Sequence, residues 1–202
     1  MASDWKSFEP VLIPDIPNLE KIDVYTKNGG YKALEKVVKG NEWTPESVVN
    51  EVKEANIKGR GGAGFNAGLK WSFMPKPDGG PRYLACNGDE SEPGTFKDRK
   101  IFEYNPHLFI EGALIAAYAM QITTIYVYVR GEYIDWVEMM EKALQDARDK
   151  GYIGKNLFGT DYSVEFEITY GAGAYICGEE TSMLESLEGK RGYPRVKPPF
   201  PA

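Results

Sequence analysis

The alternation of strand and helix patterns along this chain predicts an α/β fold with a mostly parallel sheet. A run rich in β-branched and aromatic residues at 124–130 is the clearest strand, and an amphipathic helix pattern follows it at 133–150. A second alternating run at 163–170 precedes a glycine-rich turn and a further helix pattern at 179–188. Strand, helix, strand and helix in this order are typical of βαβ crossovers, which join neighbouring parallel strands.

The bulk composition limits the class of protein. The 202 residues are 42% hydrophobic and 27% charged, which is ordinary for a globular domain. The net charge of −6 argues against nucleic acid as the main ligand. No apolar run reaches the roughly 18 residues that span a bilayer, so we expect no direct membrane insertion. Cys86 and Cys177 are too few for a disulfide framework or a self-contained iron–sulfur cluster.

The N-terminal part of the chain predicts an arm followed by helices. Residues 1–30 contain proline and glycine turns without periodicity, so we expect an extended arm there and a short helix at 31–39. Thr44-Pro45-Glu46 predicts the start of the next helix, because threonine caps free amides, proline suits the first helical position and glutamate complements the dipole. We therefore divide the chain into an arm, residues 1–43, and a ligand-binding domain, residues 44–202.

The middle of the chain contains a glycine-rich loop and a shorter strand. The loop, residues 59–64, follows a helix that we expect to continue through residue 58, and a second short helix follows the loop. Residues 83–86 predict a short buried strand, which ends in the polar run 87–92. A long helix is expected at Pro106–Met120, with apolar side chains available to the core.

Residues 59–64 read Gly-Arg-Gly-Gly-Ala-Gly and match the pattern G-x-G-x-x-G. Glycines at these places let the backbone turn sharply and bring amide hydrogens close to a phosphate. The usual dinucleotide fingerprint also needs a strand directly before the loop and an acid about 20 residues after it. Here a helix precedes the loop, and Asp89 and Glu90 come late. The pattern alone leaves a phosphate-binding loop and a structural turn both open, and it disfavours an ordinary dinucleotide-binding domain.

A second glycine-rich segment, residues 171–178, follows a predicted strand and leads into a helix at Glu179. A strand, a glycine turn and a helix N-terminus form an arrangement that receives anionic ligands. Glu179 and Glu180 have a structural explanation, because acids in the first helical turn complement the dipole. That explanation does not account for the glycines before them, so a ligand is the better interpretation.

Three longer segments carry a family resemblance. They are GRGGAGFNAGLKWSFMP at 59–75, CNGDESEPGTFKDR at 86–99 and GAGAYICGEETSMLESLEGKRGYPRVKPPFPA at 171–202. In this order and spacing they resemble the flavoprotein subunit of respiratory complex I, an NADH dehydrogenase, and the similarity runs from about residue 29 onwards. The same module occurs in the diaphorase subunits of NAD-linked hydrogenases and formate dehydrogenases, so both kinds of assembly remain open.

The resemblance implies a Rossmann-like FMN-binding domain whose deep cavity also admits NADH. In this family hydride passes from the nicotinamide to FMN, and electrons then leave singly to iron–sulfur clusters. The resemblance makes Glu92 and Glu180 the candidate catalytic residues. The residues expected to hold FMN are Gly59, Arg60, Gly61, Gly62, Lys70, Asn87, Asp89, Glu90, Ser91, Tyr175, Gly178, Glu179 and Glu180.

The resemblance also implies a place for NADH. Three phenylalanines are expected to form the aromatic wall on which adenine stacks, although Phe73 is explained equally well by packing on its short helix. Glu180 is expected to accept the adenosine ribose hydroxyls and to repel the 2′-phosphate of NADPH. Glu92 is expected to line the nicotinamide end. The residues expected to bind NADH are Phe65, Phe73, Glu92, Glu180, Lys197 and Phe200.

Several other reactive side chains are expected to have structural roles only. His107 follows a proline at a helix start, which favours a surface or capping position. Cys86 and Cys177 lie among small and apolar residues, which favours buried packing. Residues 98–100 are charged and are expected to form solvated surface. No metal site is predicted.

The sequence departs from the family in two small ways and one large way. Asn66-Ala67 stands where Pro-Thr is usual, and Gly88 stands where alanine is common. The family subunit continues beyond the stretch that matches here, completes the flavin domain and adds a ubiquitin-like lobe and a helical bundle that carries a [4Fe–4S] cluster. We therefore expect either an excerpt of a longer chain or a truncated relative, without that cluster.

The expected setting follows from the resemblance alone. A family member docks on a thioredoxin-like [2Fe–2S] subunit and on a larger multi-cluster iron–sulfur subunit. The complex places it on the cytoplasmic face of the inner membrane, or on the matrix side in mitochondria. The alternatives are a diaphorase subunit of a hydrogenase or formate dehydrogenase, and a non-catalytic flavin-binding relative.

Overall fold

The computed structural model describes residues 10–40 and 42–199. These residues form three strands and eight α-helices, with short 3₁₀ turns at Leu157–Gly159 and Tyr175–Gly178. In chain order the elements are α1 (Ile22–Lys27), α2 (Lys32–Lys39), α3 (Pro45–Glu54), α4 (Ala67–Trp71), β1 (Tyr83–Gly88), α5 (Lys97–Tyr104), α6 (Pro106–Met120), β2 (Thr124–Val129), α7 (Ile134–Asp149), β3 (Glu165–Tyr170) and α8 (Glu180–Leu187).

The three strands form a parallel sheet in the order β1-β2-β3, which confirms the predicted α/β class. β2 is central, and its residues Ile125, Val127 and Val129 are almost fully buried because strands flank it and helices cover it. The predicted strand at 83–86 is present, but the prediction that it is buried was wrong: Tyr83 is 55% exposed and residues 84–86 are only partly buried. Among the described residues β1 pairs with β2 alone, so it lies at an edge of the sheet.

Helices cover both faces of the sheet. α6 and α7 pack with β2 in the main hydrophobic core, where Ile110, Leu114 and Met140 are fully buried. Tyr128 alternates with Val127 and Val129 along β2 and belongs to a second, smaller cluster with Cys177 and Met183. Since Met183 belongs to α8, this helix covers the face opposite α6 and α7 and brings the segment after β3 back over the sheet.

The N-terminal region contains a helix that the sequence pattern did not predict. α1 occupies residues 22–27, where we expected extended chain; it buries only two side chains, Ile22 and Tyr25, which is too few for a recognisable period. Tyr25 Oη donates to Glu111 Oε2 at 2.6 Å, so a contact with α6 holds the helix in place. The division of the chain into an arm and a ligand-binding domain at residue 43 stays a prediction. Leu34 and other side chains of α1 and α2 share the hydrophobic core with α6.

Two further helix predictions need correction. α3 begins as predicted: Thr44 Oγ1 accepts from Ser47 N, and Ser47 Oγ accepts from Thr44 N in return. It ends at Glu54 rather than at residue 58, because Asn56 adopts a left-handed conformation with φ of 52°. Residues 98–100 are not simply solvated surface, since they belong to α5, which is anchored in the core by Phe102.

The prediction for His107 was wrong as well. It is fully buried at the start of α6, where its Nδ1 forms a 2.9 Å hydrogen bond with Tyr31 Oη. Burial lowers the pKa of His107 to about 4, so the ring is neutral at pH 7. Cys177 is buried as expected, whereas Cys86 is only partly buried as a residue. Loss of solvation at its thiol still raises the pKa of Cys86 to about 12, which keeps the thiol protonated at pH 7.

Candidate functional site

A cleft of about 830 Å³ lies at the carboxyl ends of the strands. Its walls are the segment that follows β1 and the 3₁₀ turn that follows β3, and the glycine loop 59–64 contributes its rim. Ligands of open α/β sheets bind at this edge. The volume lies within the roughly 300–1,000 Å³ that is usual for cofactor and small-molecule sites.

The glycine loop offers free hydrogen-bond donors to this cleft. Gly59 N donates to Phe65 O at 2.8 Å and closes the base of the loop. Within the ranges that the structure covers, the amides of residues 60–64 have no hydrogen-bond acceptor. Gly62 has a φ of +114°, which requires glycine, but Gly61 has an ordinary φ and nothing within 4 Å of the position of a side chain. The fold itself therefore does not require glycine at 61.

Asn87 joins the two walls of the cleft. Its Nδ2 donates to Gly178 O at 2.7 Å, and its Oδ1 accepts from Asp89 N at 3.0 Å. The walls meet again at the cleft mouth, where Tyr175 Oη donates to a carboxylate oxygen of Glu92. This bond raises the pKa of Tyr175 above its ordinary value. The spacing between the walls is thus fixed by two side-chain contacts, one from Asn87 near the end of β1 and one from Glu92 in the segment after it.

Arg130 supports the segment after β1 from behind, and no sequence motif marked it as a site residue. Its Nη1 donates to Glu90 O at 3.1 Å, and its Nε lies 4.0 Å from Asp89 Oδ1. Burial raises the pKa of Asp89, while a hydrogen bond from Ser91 and the charge of Arg130 oppose the rise. One signal was available in the sequence: Arg130 is the last residue of the clearest predicted strand, so it had to lie at the ligand-binding edge.

Glu90 is engaged with the protein itself. Its carboxylate is buried and accepts from Asp98 N at 2.9 Å and from Tyr133 Oη at 3.1 Å. Because Asp98 lies in the first turn of α5, Glu90 supplies the cap that this helix lacks locally. Glu90 lines the cleft, but its carboxylate fixes the loop to α5 and α7.

Glu179 and Glu180 open helix α8. Glu179 caps it, accepting from Thr181 N and Ser182 N, each at 3.0 Å. Partial burial would raise the pKa of Glu179, but hydrogen bonds from Thr181 and Lys197 outweigh it and lower the pKa to about 2. Lys197 Nζ lies 3.0 Å from Glu179 Oε1 and also contacts Glu180. The predicted dinucleotide lysine is therefore paired with both acids.

The structure brings most of the predicted residues together. Gly59, Lys70 and Glu180 lie outside the lining of the cleft, as do Phe65, Phe73 and Lys197. Phe65 and Phe73 are exposed and form an aromatic pair with ring centroids 6.1 Å apart. Phe200 falls outside the described residues. The predicted residues that line the cleft are Arg60, Gly61, Gly62, Asn87, Asp89, Glu90, Ser91, Glu92, Tyr175, Gly178 and Glu179.

Four lining residues were missed: Thr95, Lys97, Asp98 and Ile176. Each lies beside a segment that was selected, so extending those segments by a few residues would have included them. With them, five carboxylates and two cations, Arg60 and Lys97, line the cleft. The lining is thus acidic overall, and the cations available for a phosphate are few.

Residues 10–40 and 42–199 contain neither a membrane-spanning helix nor a candidate metal site. No helix there has the length and apolar character needed to cross a membrane. No group of three histidine, cysteine or acidic side chains in these ranges has the spacing of a metal site.

The fold and the cleft define an α/β domain with a parallel sheet and a cleft between two glycine-rich segments. A family model described as the Nuo51 FMN-binding domain matches residues 52–202. The chain belongs to this family, which confirms the resemblance inferred from the three sequence segments.

Curated relatives agree with the family. A subunit of an NADH-quinone oxidoreductase of Rhizobium meliloti is 54% identical over 197 residues, which are 96% of this chain and 46% of the relative. The corresponding NADH-quinone oxidoreductase subunit of Aquifex aeolicus is 51% identical over 185 residues, which are 92% of this chain and 42% of the relative. The chain thus spans less than half the length of these relatives.

Solved structures with the same fold come from an NAD⁺-reducing [NiFe]-hydrogenase. The air-oxidised form matches 90% of this chain and 30% of that chain, with a TM-score of 0.72 and 36% identity. The H₂-reduced form matches 78% of this chain and 26% of that chain, with a TM-score of 0.69 and 40% identity.

Proposed function

We propose that this chain binds FMN in the cleft and oxidises NADH as part of an NADH:quinone oxidoreductase of the complex I type. Membership of the Nuo51 FMN-binding family supports the proposal, as do NADH-quinone oxidoreductase relatives at 54% and 51% identity. When bound, FMN supplies the chemistry: it accepts hydride from the nicotinamide and releases electrons singly to iron–sulfur clusters. The protein supplies binding, orientation and the electrostatic field.

The glycine loop is the main structural support for FMN binding in the cleft. Its five amides at residues 60–64, which have no acceptor among the described residues, suit the phosphate of FMN, and Arg60 adds a positive charge to the same rim. Gly61 leaves open space that a methyl group would fill. On the walls, Asn87, Ser91 and Gly178 offer polar groups for the remainder of the flavin.

Two of the proposed ligands have narrower roles than the family resemblance implied. Glu90 holds the loop to α5 and α7, and Glu179 caps α8, so both act mainly by keeping the walls in place. The two acids proposed to bind NADH already have partners within the protein: Glu92 accepts a hydrogen bond from Tyr175, and Glu180 forms an ion pair with Lys197. NADH must therefore replace or share these contacts when it enters.

The test is substitution of Gly61 in the full chain. Gly61→Ala adds one methyl group at a position with free space and an ordinary backbone conformation, so folding should be unaffected. We expect FMN affinity, measured by quenching of flavin fluorescence, to fall by about tenfold or more because the backbone can no longer approach the phosphate. The melting temperature of the flavin-free protein should stay within about 1 °C.

Gly112→Ala is the matched control. Gly112 lies in α6, away from the cleft, also with open space around it. Its substitution should leave FMN affinity unchanged and raise the free energy of unfolding by about 0.5–1 kcal/mol. If the wild-type chain binds no FMN, or if Gly61→Ala binds it as tightly as wild type, the proposed site is wrong. Bound flavin that NADH does not bleach supports a non-catalytic relative.

A second assembly remains a candidate, because the matching structures belong to an NAD⁺-reducing hydrogenase. In an NADH:quinone oxidoreductase of the complex I type, the partners are a thioredoxin-like [2Fe–2S] subunit and a larger multi-cluster iron–sulfur subunit. That complex lies at the cytoplasmic face of the inner membrane, or on the matrix side in mitochondria. In the second case this chain is a diaphorase subunit of a hydrogenase or formate dehydrogenase. Identification of the co-purifying subunits decides between them.

A further inference from the structure

The segment of residues 191–197, here called the strap, lies along helix α8. Near its start is Gly192, where a Cβ would come within 2.6 Å of Cys177 Sγ, so the backbone packs directly on the buried thiol. Further along, Arg195 N donates to Thr181 Oγ1 at 2.9 Å. The path of the strap is therefore fixed at two backbone positions, against the 3₁₀ turn and against the first turn of α8.

The side chains of the strap extend this contact over the whole helix. Arg195 Nε lies 2.5 Å from Glu185 Oε1, and Arg195 Nη2 lies 2.5 Å from Glu188 Oε1. Thr181, Glu185 and Glu188 are spaced by four and three residues, so they lie on one face of α8. At the opposite end Lys197 pairs with Glu179 and Glu180. Arg195 and Lys197 of the strap thus meet four carboxylates, two in α8 and two in the residues that cap it.

We propose that Arg195 is a positioning residue for NADH: its contacts with Glu185 and Glu188 determine where Lys197 meets Glu179 and Glu180. This inference rests on the proposed function, in which Glu180 and Lys197 contact the dinucleotide. The planar guanidinium suits this task because it can engage two carboxylates in a fixed geometry, whereas an ammonium acts as a point charge.

The position of Lys197, rather than stability, is the property that Arg195 controls. Ion pairs this exposed contribute little to the free energy of unfolding. Lys197 is two positions after Arg195, and an extended chain covers about 7 Å over that interval. Release of Arg195 therefore allows Lys197 to move by several ångströms, which is enough to lose its contact with Glu180.

Hydrogen exchange of the full chain tests the strap without any ligand. In Arg195→Gln we expect amides of residues 192–197 to exchange about threefold faster or more, because the bond from Arg195 N to Thr181 Oγ1 is no longer held. Arg191→Gln is the matched control: it removes the same charge from the same segment, and Arg191 contacts Tyr193 rather than an acid. In Arg191→Gln the amides of residues 192–197 should exchange at the wild-type rate.

Steady-state kinetics of the FMN-loaded protein provides the second measurement. Arg195→Gln should raise KM for NADH by about threefold to tenfold with kcat unchanged, and Arg195→Lys should restore part of the loss. Arg191→Gln should change neither constant. Unchanged exchange and unchanged KM in Arg195→Gln, or equal effects in both glutamine variants, would overturn the inference. If wild-type flavin is not bleached by NADH, the proposed function fails, while hydrogen exchange still decides whether Arg195 holds the strap.

Discussion

Glu180 is the residue at which the preference for NADH over NADPH is expected to arise. It is half-exposed at the start of α8, paired with Lys197, and it stands beside the cleft rather than in its lining. A carboxylate at this place can accept the ribose hydroxyls of NADH and repels the 2′-phosphate of NADPH. The five carboxylates that line the neighbouring cleft also repel the 2′-phosphate of NADPH.

Glu180→Gln removes this repulsion and leaves Lys197 paired with Glu179 alone. We expect the ratio of kcat/KM for NADPH to that for NADH to rise by about tenfold, which corresponds to about 1.4 kcal/mol. Steady-state assays with both dinucleotides measure the ratio. Glu138→Gln, an exposed acid on α7, is the control and should leave the ratio unchanged. An unaltered ratio in Glu180→Gln contradicts the assignment.

At the level of elements, the contact between α6 and the two N-terminal helices depends on one buried acid. Glu111 accepts from Tyr31 N at 2.8 Å, from Leu34 N at 3.2 Å and from Tyr25 Oη at 2.6 Å. It thus caps α2 from another helix, because Tyr31 at the N-cap has a left-handed φ of 61° and no capping side chain. Three donors converge on this one carboxylate.

Glu111→Ala should lower the free energy of unfolding by about 3–5 kcal/mol, because it leaves three buried donors without an acceptor. Tyr25→Phe removes only one of the three bonds and should cost about 1 kcal/mol. Glu35→Ala, which breaks an exposed ion pair with Lys39, should cost less than about 1 kcal/mol. Urea denaturation of the three variants provides the comparison. A small loss in Glu111→Ala would show that the N-terminal helices do not depend on this cap.

The long helices and the clearly patterned strands were the elements that the sequence predicted well. α6, α7, β2 and β3 lie within a few residues of their predicted bounds, and α3 begins at the predicted threonine cap. α1 and α5 were missed because each is short and depends on a distant partner: α1 on Glu111, and α5 on the carboxylate of Glu90. A periodic pattern in the sequence cannot carry such information.

For the whole molecule, the buried histidine makes stability depend on pH. The pKa of His107 is about 4 in the folded protein, because burial disfavours the charged ring, against about 6.5 in an unfolded chain. Between these values the unfolded chain binds a proton that the folded protein does not. The free energy of unfolding should therefore fall as pH drops from 6.5 to 4, by about 3 kcal/mol in all.

Urea denaturation between pH 7 and pH 4 measures this dependence. His107→Gln should be less stable at pH 7, because the hydrogen bond with Tyr31 is altered, but its stability should change less across this window. The lowered pKa of Glu179 acts at lower pH: its contribution is present above about 4.5 and is lost as pH falls towards 2. Equal slopes for wild type and His107→Gln between pH 6.5 and 4 contradict the assignment.

The sequence by itself determined the α/β class, both glycine-rich segments and the family, because local periodicity and long contiguous motifs carry that information. Only the tertiary structure decided which acids are free to meet a ligand. Glu90 is bonded to residues 8 and 43 positions away, and Lys197 reaches Glu180 across 17 positions. Arg130, which no motif marked, supports the cleft from the next strand. Such contacts depend on which elements are neighbours in the fold, and the order of the strands decides this. A charged group that is buried must pair with a group on one of those neighbouring elements.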